Sequence, residues 1–329
     1  MSKSKKRKEE KTTRKRKELA AAIGIALALA FVFLAVLPRV KEDARFVDGG
    51  GTVAAQEAIG RHPLTGVSVY EEVAPPQVFG VMIDNHVDAW PQAGIDNAFL
   101  VFEAPVEAGI SRMLAFFYEG QEVEKIGPVR SARPYFLDWN NELDALYAHV
   151  GGSNAALDLI ASGGTFDLNQ YWLDSYFWRS HSRYAPHNVY TSVERMSQYV
   201  AARKEQGRVS EPLYETWSFK DPDIQVEPQV ERIELSFYPP TYVAEWKYDE
   251  TTNRYVRFQA GVAHTMEDGG EVMADNVAVV VTDVAILDGV GRRSVRTIGE
   301  GIAVVFRDGK KIEGTWKKTA QSKRLRFYD

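Results

Sequence analysis

At 329 residues, with 45% hydrophobic and 12% aromatic residues, the chain is long enough for two ordinary domains with real cores and is not a disordered protein. It contains no cysteine, which excludes disulfides, thiolate metal sites, a cysteine nucleophile and lipid attachment to an N-terminal cysteine. The net charge of −5 conceals an asymmetry: residues 1–18 carry ten Lys/Arg against three Asp/Glu, and the acidic remainder argues against general nucleic-acid binding.

After that basic tail, Leu19 to Leu37 is an uninterrupted apolar run that spans roughly 28 Å as a helix, close to the thickness of a bilayer core. The basic flank sets the tail on the cytoplasmic side and everything after Pro38 outside. A cleaved signal peptide is the rival reading, but its apolar core is usually shorter, and no small-x-small cleavage site follows Leu37. Residues 38–61 are charged and glycine-rich, a flexible tether.

Folded structure is expected from His62. Val78–Ile83, Ala98–Phe102 and Arg112–Tyr118 are short apolar runs bounded by turn residues, as in buried strands. In IGPVRSARPYF (126–136), Pro134 suits the first turn of a helix. Leu146–Val150 reads as a strand running into Gly151-Gly152-Ser153, and Asn154–Ala161 as a helix. Phe166–Trp178 holds six aromatics, read as core plus a lid, or as a platform for a sugar or prenyl group. Thr191 and Glu194 match a capping box opening a helix that ends near Gln206. Residues 208–228 read as a linker. Beyond it, Ile233–Tyr238, Val243–Tyr248, Tyr255–Gln259, Val277–Val281, Ile302–Phe306 and Leu325–Tyr328 read as strands, with Asp308-Gly309 as a hairpin turn.

The expected fold is therefore α+β: a transmembrane helix, an α/β sandwich-like domain with a mixed sheet over 62–207, and a small all-β domain over 229–329.

Arg130 and Arg133 stand beside a helix N-terminus, where free N–H groups already favour an anion. They could hold phosphate or carboxylate, form internal ion pairs with Asp84, Glu103 or Glu107, or lie solvated; ligand and ion pair remain open. Unpaired acidic groups beside them would favour an enzyme, and full pairing with buried carboxylates a structural role. Ser131 lies between the arginines; His149 before Gly-Gly-Ser could be a base, a phosphate donor or a structural histidine. A His149–Ser153–Asp158 triad is disfavoured by the absence of a G-x-S-x-G elbow. His181, Arg183, His187 and Asn188 follow in HSRYAPHN; no ligand spacing is recognised there, so no metal site is assigned. Asp84, Glu103 and Glu107 are acid/base candidates that could hold Mg²⁺ against a bound phosphate if they face the arginines.

PLTG (63–66), VMIDN (81–85), EAPVEAGISR (103–112), IGPVRSARPYF, HVGGS (149–153) and PHNVYTS (186–192) resemble the YerB-like envelope proteins, a two-domain family of unknown function. GEG (299–301), DGK (308–310) and GTWKK (314–318) are similar to its C-terminal module. Family members are often lipoproteins; lacking cysteine, this chain would use its apolar segment instead. It stops at RFYD, where the family usually continues through another strand, which implies a fragment or a β domain that closes differently. In element order the chain also resembles the LytR–CpsA–Psr transferases, which would make Arg112, Arg130 and Arg133 pyrophosphate holders.

The leading expectation is a single-pass membrane protein with its folded part outside the cell. It would be a binding or regulatory module whose pocket, formed by Arg112, Arg130, Ser131, Arg133, His149, Ser153, His187 and Asn188, takes an anionic envelope ligand or an envelope protein. The alternatives are a metal-assisted phosphoryl or glycopolymer transferase, using Asp84 or Glu103, and a scaffold with internal salt bridges.

Overall fold

A computed structural model describes residues 58–207, 211–224 and 227–329. The basic tail, the 19–37 segment and most of the tether lie outside the described residues. Among the described residues no helix is long and apolar enough to cross a membrane. Gly60–Arg61 pairs with Ser68–Val69 in a small hairpin.

The first part is built on a five-stranded sheet. Its strands are β1 (Val78–Ile83), β2 (Leu100–Pro105), β3 (Ser111–Tyr118), β4 (Leu146–His149) and β5 (Phe166–Asn169), in the order β2-β3-β1-β4-β5. β1 runs parallel to β4, and β4 to β5, while β3 is antiparallel to both β1 and β2. The sheet is thus mixed. The carboxyl ends of β1, β2, β4 and β5 share one edge with the amino end of β3.

β1 is buried along its whole length, which explains its unbroken apolar sequence: both faces of a central strand are covered. The alternation of side chains divides the core in two. Phe79, Val81, Ile83, Met113, Ala115 and Phe117 face one side, against Val193, Met196 and Val200 of helix α3 (Val193–Glu205). Val78, Met82, Leu114 and Phe116 face the other, against Tyr135, Phe136 and Trp139 of helix α1 (Pro134–Asn141). Helix α2 (Asn154–Ala161) adds Ala156 to that second face. A methyl group at Gly80 would collide with the Asn140 side chain of α1, so glycine permits this close approach. The cap of α3 is Ser192, whose hydroxyl accepts from Arg195 N–H (3.2 Å). The capping-box reading was one residue early: Thr191 is instead bridged to Ile126.

The second part holds two larger antiparallel sheets and a two-stranded one that pairs Val284–Ile286 with Arg293–Val295. β6 (Arg232–Tyr238), β7 (Tyr242–Asp249) and β8 (Arg254–Gln259) form a meander, extended by Val262–Ala263 and Met273–Ala274. β9 (Asn276–Val280), β10 (Gly299–Arg307), β11 (Lys310–Lys318) and β12 (Arg326–Tyr328) form the other, in that order. Asp308 and Gly309 both have positive φ (52° and 70°) and join β10 to β11 as a two-residue loop, the conformation an Asp-Gly hairpin favours.

The two parts are closely joined. Met266 and Val272 of the second enter the core beside β1 and β3. Glu142, fully buried after α1, accepts from Lys318 Nζ (3.0 Å), Arg324 Nη1 (2.7 Å) and Leu325 N–H (3.1 Å). Arg257 of β8 donates to both oxygens of Glu103 on β2 (3.0 and 3.1 Å). The described stretch of the expected linker is tied to both sides, through Tyr214 to Pro76 O and Trp217 Nε1 to Leu325 O, both at 2.9 Å.

Candidate functional site

The shared strand edge carries most of the predicted residues. The loop from Gly127 to Arg133 runs along it, held by Arg130 N–H to Met82 O (2.8 Å) and Ala132 N–H to Gly151 O (3.0 Å). Asp84 follows β1, Glu107 follows β2, and Arg112 opens β3, so the fold brings Asp84, Glu107, Arg112, Arg130 and Arg133 together.

Their pairing is unequal. Arg133 is engaged twice by Glu107, at 2.8 Å for both contacts, and donates to Ala132 O (2.7 Å). That is the internal ion pair. Burial pushes the Glu107 carboxyl up, but the Arg133 hydrogen bonds, a backbone hydrogen bond and the charges of Arg133 and Arg112 together leave the pKa below the ordinary value. Arg130 reaches Asp84 Oδ2 through Nε at 3.0 Å, while its terminal nitrogens make no hydrogen bond to described residues and its side chain remains 23% exposed.

Arg112 is different. It is 5% exposed and has no carboxylate within ion-pair distance among the described residues; its bond to protein is Nη1 to Ser131 O (3.0 Å), and its Nε is buried without a partner. Burial and the nearby Arg133 and Arg130 depress its pKa to about 10, against the pull of Asp84 and Glu107. The Tyr147 hydroxyl beside it is also buried without a well-formed hydrogen bond. What distinguishes this spot is a buried guanidinium with no carboxylate partner among the described residues.

The remaining predicted residues have other duties. His149 is fully buried with both ring nitrogens engaged, by Gly151 O and Asp167 Oδ1 at 2.7 Å each, a geometry that suits a structural histidine. Its carboxylate is Asp167, not Asp158. Ser153 caps α2 by accepting from Ala156 N–H (3.3 Å). Asn188 braces the 180–188 loop, accepting from Arg179 and donating to Ser180 O and Arg183 O. Glu103 accepts from Ser111 Oγ (2.6 Å) as well as Arg257. Asp84, Glu103 and Glu107 are each paired with a different arginine, Arg130, Arg257 and Arg133. Of the aromatic stretch, Phe177 is buried while Tyr171 and Trp172 are exposed, so it is neither wholly core nor a continuous platform.

His187 Nδ1 bonds Asp84 Oδ2 at 2.6 Å. Its ring stacks on that of His86 at 4.7 Å and 18°. Sequence reasoning passed over His86 and Asp88. The available signal was polar residues at alternate positions directly after an apolar strand: Asp84, His86, Asp88. Beside this pair lies an open depression of about 750 Å³, lined by Asp88, Trp90, Arg183, His187 and Glu267 among others.

Two family models match the chain: the N-terminal domain of a protein of unknown function (DUF3048) over residues 64–206 and the corresponding C-terminal domain over 233–329. The chain is 33% identical over 260 residues to YerB of Bacillus subtilis (strain 168), which is named a candidate lipoprotein; the match covers 78% of this chain and 77% of that protein. It is also similar to the crystal structure of YerB from Bacillus subtilis, with a TM-score of 0.68 and 30% identity over 82% of this chain and 90% of the other. On the strength of both domain matches and this relative, the chain belongs to the two-domain DUF3048 family, the YerB-like proteins of unknown function.

Proposed function

We propose that this chain is an envelope-associated binding protein that takes an anionic ligand, phosphate or carboxylate in type, against Arg112 and Arg130. The observation that carries the reading is Arg112: a buried guanidinium with no carboxylate partner and an orphaned Nε. Leaving a charge buried and uncompensated costs several kcal/mol, and a bound anion offsets that cost. A guanidinium offers planar, fork-shaped donors suited to phosphate and carboxylate oxygens. Arg130 brings the accessible donors, and Arg133 stays locked to Glu107 as part of the wall. The envelope setting is supported by the apolar 19–37 run behind a basic tail and by the lipoprotein name of the Bacillus relative.

The test is calorimetric titration of the purified full chain with inorganic phosphate, pyrophosphate and citrate at constant ionic strength. Saturable binding is expected for at least one of them, weakened tenfold or more in Arg112→Met and in Arg130→Met. A response no different from chloride, or undiminished affinity in both variants, would refute the reading.

A further inference from the structure

The geometry points to a second site beside the arginines: a centre for a first-row divalent transition-metal ion formed by His86, Asp88 and His187, with Asp84 as the residue that positions His187. One ligand atom from each of the three lies within 4.8 Å of the others. His86 Nδ1 is 3.5 Å and His187 Nε2 4.0 Å from Asp88 Oδ2. Two imidazoles and a carboxylate are a donor set suited to zinc and its neighbours, and three protein ligands leave a position for water or another ligand.

Asp84 supplies the independent observation. It is 1% exposed, and its Oδ2 accepts from His187 Nδ1 at 2.6 Å while Oδ1 accepts from His86 N–H at 3.1 Å. With its proton held on Nδ1 towards the carboxylate, His187 presents the Nε2 lone pair to the cluster. Metal-bound histidines are oriented by this same second contact. The cluster is also assembled from two loops that are fastened together. His86 and Asp88 sit on a short 3-10 turn (Val87–Ala89), and His187 lies on the 180–188 loop. Arg183 of that loop donates to Asp88 O (3.1 Å) and Trp90 O (3.3 Å).

Bonds of about 2.0–2.2 Å to one ion require donor atoms about 3.3 Å apart. The present spacing therefore has to close by up to about an ångström and a half. The freedom lies in the right places: the Asp88 side chain is 68% exposed and that of His86 34%. His86 Nδ1 accepts from Asp88 N–H at 3.2 Å as the cap of that turn, so ligation through Nδ1 exchanges this bond for the metal. The remaining position faces the depression lined by Trp90 and Glu267.

The proposal stands apart from anion binding, since its ligands exclude the three arginines. It is tested on the full chain, freed of any histidine tag and treated with EDTA, by titration with Zn²⁺ and by the visible absorption of added Co²⁺. About one ion per chain is expected. Asp88→Asn and His187→Ala should weaken binding by about a hundredfold or more, and Asp84→Asn by about 10–100-fold as an outer-shell change. His181→Ala, at an exposed histidine, should leave it unchanged. Asp88 is surface-exposed, so Asp88→Asn keeps the test valid if a buried variant fails to fold. Absent binding in the wild type, or equal affinity in wild type and Asp88→Asn, overturns the site.

Discussion

The Arg133–Glu107 pair separates what the arginine loop does for the fold from what it does for a ligand. Glu107 is held below its ordinary pKa because two hydrogen bonds from Arg133, a backbone hydrogen bond and the nearby Arg133 and Arg112 charges together exceed the effect of its burial. A carboxylate with a lowered folded pKa adds stability above the unfolded value, about 4.3, and loses it as pH falls through the folded value. Glu107→Gln should therefore lower stability at pH 7 by about 1.5–3 kcal/mol, the range for hydrogen bonds to charged groups. The difference from wild type should shrink in acid. Denaturant unfolding at pH 7 and pH 3 checks this; a variant as stable as wild type at pH 7 would show the pair to be dispensable. Arg112 makes the complementary case. No sequence signal distinguishes it from Arg133, because the difference between them is whether Glu107 turns towards one or the other across the strand edge.

At the scale of elements, local pattern was a good guide and distant pairing was not. β1 was legible because a strand covered on both faces is written as an unbroken apolar run, and the β10–β11 turn because Asp-Gly suits two positive-φ positions. The cap of α3 was misplaced by one residue because Thr191 and Ser192 are chemically alike, and only the bridge to Ile126 decides between them. β11 has Ile312 and Trp316 as its apolar residues among lysines, Glu313, Gly314 and Thr315, so it carried no strand signal of its own. Glu142 had none either, since its partners are 176 and 182 residues away. Yet it fastens α1 to β11 and the approach to β12. Removing one member of a buried ion network leaves uncompensated charge and costs about 3–5 kcal/mol. Glu142→Gln should show that loss in denaturant unfolding. Amide exchange should quicken across 318–328 before it changes in β1 and β3. Uniform acceleration over both parts would mean that Glu142 supports the whole unit and not this junction.

Across the whole molecule, the two sequence-level domains behave as one body because polar groups as well as core side chains cross between them. His264 is the member of that junction whose charge is sensitive to pH. Its Nδ1 accepts from Arg257, and its Nε2 donates to Gln92 Oε1 at 2.8 Å, an arrangement that requires the neutral ring. Burial first, and then the adjacent Arg257, push its pKa well below the ordinary value. In the unfolded chain the ring titrates near 6.5. Between that pH and the depressed folded value the unfolded chain holds one more proton, so stability falls as pH drops, by about 1.4 kcal/mol per pH unit for one such group. The contribution is complete above about pH 6.5 and is lost below it. His62, also lowered by burial, adds to the same slope but does so equally in a His264→Gln variant. Unfolding free energies measured from pH 7.5 to 5, above the main carboxylate range, should therefore fall less steeply in His264→Gln than in wild type. Parallel curves would mean that the ring takes up its proton inside the folded junction and that the Arg257–His264–Gln92 contact does not hold the two parts together.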